Sequence, residues 1–113
     1  MKRLPKAFLY SCILALLTVI SVSFFWQNPI QLTLILFVIS VAMLLISRDK
    51  KDLFLYIIAS IWGVLSESLA IAFGAWTYAL PDIVGVPVWL FLVWGIAGVF
   101  IKRIYLVINE FLK

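Results

Sequence analysis

A single carboxylate stands where a carboxylate is costly. Glu67 lies within an apolar stretch, with residues 53–66 before it and 68–76 after it, and it is the one acidic or basic side chain well inside any stretch long enough to cross a bilayer. An acid at membrane depth costs roughly 2.5–3.5 kcal/mol on insertion scales, so it is expected to have a hydrogen-bond partner, a proton or a task. A proton held on such an acid is what a general acid needs, which makes Glu67 the candidate catalytic residue. The chain has no histidine, which removes the commonest base and the commonest metal ligand. Its one cysteine, Cys12, has no second thiol to pair with and reads as a small buried apolar residue. There is no glycine-rich phosphate loop, no metal-ligand cluster and no nucleophile within one helical turn of a base. No metal and no cofactor is expected.

What must hold Glu67 is a set of apolar helices. Of the 113 residues, 66% are hydrophobic and 12% charged, and the mean hydropathy is +1.23. Soluble domains are only about half apolar. A helical span needs about 20 mostly apolar residues, and four can be marked, at 7–25, 30–47, 53–76 and 86–108. The fold class is therefore all-α, a polytopic membrane protein with four transmembrane helices in one antiparallel bundle. Residues 1–25 resemble a signal peptide, with basic Lys2, Arg3 and Lys6 ahead of an apolar run. That run is longer than a typical signal core, so it is read as a retained first helix.

Charge gives the orientation. The nine Lys and Arg residues are Lys2, Arg3, Lys6, Arg48, Lys50, Lys51, Lys102, Arg103 and Lys113, and all fall at the N-terminus, the second connection or the C-terminal tail. The positive-inside rule then predicts both termini in the cytoplasm of a multi-pass protein of the cell inner membrane. Trp26, Trp76, Tyr78 and Trp89 gather at the outer boundary and Tyr10, Tyr56 and Tyr105 at the inner one, as anchoring belts do. Trp62 and Trp94 lie within spans and call for an interior explanation.

Shorter signals place the connections. Asn28 and Pro29 read as the N-cap and first position of the second helix. The charged link 48–52 is short enough to make helices two and three a tight hairpin. Asp82 is a solvated loop charge or a capping acid, and Pro87 suits the first turn of helix four. Beyond residue 101 an amphipathic C-terminal extension is expected, with Lys102 and Arg103 on a polar face meeting lipid headgroups.

On helix three, Ser60, Gly63, Glu67, Ala70 and Gly74 recur at spacings of three and four. They form a stripe of small residues, the surface by which membrane helices pack closely. Helix four offers Gly95 and Gly98 beside Trp94. Counting about 1.5 Å per residue puts Glu67 and Gly95 at similar depths, roughly 12–14 Å below the outer boundary, so Glu67 faces Trp94 and its indole donor. Ser66 and Ser68 are further hydroxyl candidates. Thr33, Ser40 and Ser47 form a second weakly polar seam on helix two.

The segment from Gly63 through Glu67, Ser68, Leu69, Gly74, Trp76, Tyr78, Val86, Pro87 and Trp89 to Trp94 resembles a family of small four-helix bacterial inner-membrane proteins of unassigned function. More distantly it is similar to integral membrane proteins of carotenoid biosynthesis, which act on long isoprenoid chains. That likeness implies a lipid-binding site lined by Glu67, Trp76, Tyr78, Trp89 and Trp94.

Three functions remain open. The first is a non-catalytic accessory or assembly subunit, its partners being another membrane protein or further copies of itself; Glu67 then serves as helix glue. The second is a lipid or isoprenoid binding protein or enzyme with Glu67 as proton donor. The third is a proton-coupled small-molecule exporter, resembling the small multidrug resistance family, whose acid belongs to helix one. Membrane lipids are expected partners in every case. Short flanking basic clusters give no support for nucleic-acid binding.

Overall fold

The computed structural model describes residues 3–113; Lys2 of the N-terminal basic group lies outside them. Four helices, α1 (Lys6–Phe25), α2 (Pro29–Ser47), α3 (Lys50–Ala72) and α4 (Trp89–Phe111), run alternately up and down. Each is long and apolar enough to cross a membrane. One end of the bundle carries both termini and the α2–α3 link; the other carries the α1–α2 turn and the long α3–α4 connection. These are called the termini end and the loop end.

Local chemistry sets the helix ends. Pro29 occupies the first turn of α2 behind Asn28, whose side chain makes no capping bond. Arg48 closes α2 in the left-handed region at φ 53°. Asp49 then caps α3, its carboxylate accepting from the Lys51 N–H at 2.9 Å. The α2–α3 link is therefore as short as expected. The tight hairpin does not follow from it, because α3 leans away from α2 and packs on α4.

α4 is the hub. It packs against all three other helices, while α1 pairs with α2 and α3 touches α2 only slightly. The core stripe of α2 is Leu32, Leu36, Ile39 and Met43, and α4 answers with Trp89, Ile96 and Val99. Both follow the three-and-four spacing of a buried helical seam. On α1 the inward face carries hydroxyls instead: Ser11, Thr18 and Ser21 are buried. Each returns its proton to the carbonyl four residues earlier, which leaves a slim surface for close helix approach.

Two spans are displaced from expectation. α3 stops at Ala72, four residues short of 76, where Gly74 turns into the left-handed region at φ 86°. α4 starts at Trp89 and not at 86, because residues 83–86 form a tight reverse turn. Ile83 and Val86 exchange backbone hydrogen bonds across it, with Val84 at φ 47° and Gly85 at φ 81°, the double positive-φ pattern of a type I′ turn. Asp82 proves to be the capping acid, its Oδ2 accepting from the Val88 N–H at 3.1 Å.

Candidate functional site

Glu67 sits five residues before the end of α3, so its depth below the loop end is about 7.5 Å, shallower than the sequence count because α3 ends sooner. Trp94 sits five residues into α4 at a matching depth. Its indole Nε1 donates to Glu67 Oε2 at 2.5 Å. The pairing needs Gly63, since a Cβ there would lie 2.0 Å from the Trp94 ring. One glycine thus seats the indole flat against α3 and lets it reach the acid one turn further on.

The second donor comes from the connection. Tyr78 Oη donates to Glu67 Oε1, and the Tyr78 ring stands edge-on to the Trp89 ring, with centroids 6.2 Å apart. Both carboxyl oxygens of Glu67 are therefore engaged, by donors on α4 and on the loop. Burial raises the Tyr78 phenol above its ordinary range, the neighbouring Glu67 raises it further, and the Trp76 indole offsets part of this. Tyr78 accordingly keeps its proton at neutral pH and remains a donor.

Tyr78 also lines a cleft of about 560 Å³ at the loop end, with Val22, Ser23, Trp26, Thr77, Ala79, Leu80, Pro87 and Trp89. It is the one wall residue that bonds Glu67. Trp89 is 6% exposed, so it belongs to the core and the cleft floor, not to an interfacial belt. Trp76 and Trp26 remain exposed, and Trp76 meets the site only through its proximity to Tyr78.

The rest of the helix-three stripe divides. Ser60 Oγ donates to the Phe91 carbonyl of α4 at 2.7 Å, and Gly98 packs on Ala59. Gly95 receives the ring of Tyr56, half-buried and bonded to Ser40 Oγ at 2.6 Å; Tyr56 is thus an interior residue, not an inner-boundary anchor. Ala70 is half-buried. Gly74 leaves the stripe, because it lies past the helix end with no atom near its missing Cβ. Of the flanking serines, Ser66 bonds the Trp62 carbonyl on the outward face, and neither serine hydroxyl reaches Glu67. Trp62 is 72% exposed, so its explanation is the bundle exterior.

Comparison with protein families, curated proteins and solved structures finds no match for this chain.

At the termini end lies a second polar cluster that sequence reasoning missed. Arg103, expected among headgroups, is 6% exposed and turned inward. Its Nη1 donates to Ser11 Oγ and to Met43 Sδ. Its Nη2 donates to the Met43 carbonyl at 2.7 Å and to Asp52 Oδ2 at 3.1 Å. Asp52 is 1% exposed and also accepts from Ser47 Oγ and Lys102 Nζ. One guanidinium therefore touches all four helices. The signal was periodic: Trp89, Ile96, Val99 and Arg103 continue one seam of α4, and the stripe Ser60, Gly63, Glu67 extends back through Tyr56 to Asp52.

Proposed function

We propose that this chain is a four-span inner-membrane protein, both ends cytoplasmic, that binds a long apolar molecule from the bilayer in the loop-end cleft, beside Glu67. The observation that carries this reading is Tyr78, which forms part of the cleft wall and hydrogen-bonds the half-buried acid Glu67. A concave, mostly apolar site with few fixed polar groups is the usual form of a small-molecule pocket, and roughly 300–1,000 Å³ is the usual size. The resemblance of the 63–94 segment to proteins acting on isoprenoid chains points the same way. Glu67, accepting at both oxygens, is a positioning group that holds Tyr78 in the cleft wall.

The test is to isolate the protein from native membranes and extract what travels with it. A recurrent apolar molecule, lost on Ala79→Trp, which fills the cleft, supports the reading. Identical lipid content in wild type and variant refutes it.

A second reading, the accessory subunit, rests on a separate observation. α3 is covered by α4 and barely by α2, which leaves Phe54, Ile58, Trp62, Leu65 and Leu69 exposed along one side. A partner helix or a second copy would pack there, and a photo-crosslinker at Trp62 would report it. Less supports the exporter reading: both oxygens of Glu67 are engaged by Tyr78 and Trp94, and the acid at the other end, Asp52, is paired with two cations.

A further inference from the structure

We infer that the outward face of α3 is a two-fold contact with a second copy of this chain, in which the Trp62 indole of each copy donates to Ser66 Oγ of the other. This deepens the accessory-subunit reading and rests on the exposed face that supports it.

The depth of Trp62 comes first. α3 runs Lys50–Ala72, so at about 1.5 Å per residue Trp62 lies roughly 15–18 Å from either end of the helix, near the middle of a bilayer whose hydrocarbon is about 30 Å thick. Tryptophan is ordinarily enriched at the membrane boundary, where its N–H finds water or a headgroup oxygen. Here the ring points out of the bundle, 72% exposed. Outside the helix backbone, the one hydrogen bond of Trp62 among the described residues is that which its carbonyl accepts from Ser66, so the indole N–H meets no acceptor. The side chain is too short to reach a headgroup from mid-span, and acyl tails offer no acceptor. Lipid therefore leaves a polar group unpaired at a cost.

The missing acceptor stands on the same face. Ser66 is exposed one turn beyond Trp62, and it gives its proton to the Trp62 carbonyl at 2.8 Å, which leaves the Oγ lone pairs without a donor. A free donor and a free acceptor on one stripe make the surface self-complementary, and a two-fold contact forms each bond twice. Orientation permits one kind of pair. The described Lys and Arg residues all lie at the termini end, so copies insert in the same sense and meet about an axis along the membrane normal, α3 beside α3 at equal depth. The offset between indole and hydroxyl is then one helical turn, about 5.4 Å, a distance the long tryptophan side chain covers. Phe54, Ile58, Leu65 and Leu69 continue the exposed face above and below at helical spacing, which supplies the van der Waals contact on which membrane helices associate. A different membrane protein would have to bring its own acceptor to this depth.

The experiment places the full chain in phosphatidylcholine vesicles, with a donor or acceptor dye on a short tag after Lys113, and follows energy transfer as the protein-to-lipid ratio rises. Transfer should exceed that of an unrelated single-span peptide at equal density and should vary with acceptor fraction as a dimer requires. Trp62→Phe keeps a ring and loses the N–H, while Ser66→Ala loses the acceptor; both side chains lie outside the core, and helical circular dichroism verifies each fold. Either change should weaken association about tenfold, the effect of two interhelical hydrogen bonds in a membrane. The double variant should be no weaker than the singles, because the two groups serve one bond. Transfer at the chance level, a dimer that neither variant weakens, or singles whose effects multiply in the double overturns the inference. If a photo-crosslinker at Trp62 then joins the chain to a different membrane protein, the accessory reading stands without self-association. If it labels lipid alone, both fall.

Discussion

Asp52→Asn should be the most damaging single change at the termini end. Asp52 and Arg103 are each almost wholly enclosed, and breaking a buried pair by removing one partner costs about 3–5 kcal/mol because a charge is left uncompensated. The two halves are unequal. Without Asp52, Arg103 keeps only the neutral acceptors Ser11, Met43 and Ser47. Without Arg103, Asp52 retains Lys102 and Ser47. Arg103→Met should therefore cost less, about 2–3 kcal/mol, and Lys102→Met, at a partly exposed side chain, about 1 kcal/mol or less. The double variant Asp52→Asn/Arg103→Met removes both charges and should recover much of the loss, giving a coupling of about 2 kcal/mol or more. The assay is reversible unfolding by dodecyl sulfate in mixed micelles, read by helical circular dichroism, for the singles and the double. Strict additivity, or singles within about 0.5 kcal/mol of wild type, would refute the argument that the cluster is closed and mutually dependent.

Gly63→Ala places a methyl within the Trp94 ring, so the indole must leave Glu67. Overpacking of this kind costs about 1–3 kcal/mol, and tryptophan emission should shift; unchanged emission together with unchanged stability counts against the seat. Val84 holds a β-branched side chain at φ 47° while 60% exposed, a conformation that disfavours L-residues by roughly 1–2 kcal/mol. Val84→Asn, which tolerates that region, should raise stability by about 1 kcal/mol in the same unfolding assay, and a loss would contradict the turn.

The Glu67–Trp94 contact was legible because two periodic signals met: small residues every three or four positions on one helix, and an indole at matching depth on the next. Counting from Trp76 set the acid too deep, since nothing short of the folded loop reveals that Gly74 ends the helix. Arg103 was misread for a different reason. A basic residue near the end of a span defaults to the headgroup layer, and only the rotation of α4, set by Gly95 against Tyr56 and Gly98 against Ala59, turns it inward. Tyr78 and Trp89 looked like belt aromatics because composition shows that a ring is amphipathic, while its partner is supplied by a loop whose path is set by a two-residue turn.

The position of α4 as hub has a bearing on biogenesis. While the ribosome is still making residues 73–111, α1 and α2 already have each other, but α3 has neither the arginine that balances Asp52 nor the indole that satisfies Glu67. A polar group in an apolar helix is costly until its partner is in place, so α3 gains its stable position only when α4 packs against it and supplies Trp94 and Arg103. The last two helices therefore depend on each other, and a chain cut short after residue 88 would lack both cations that pair with Asp52 and the indole that meets Glu67.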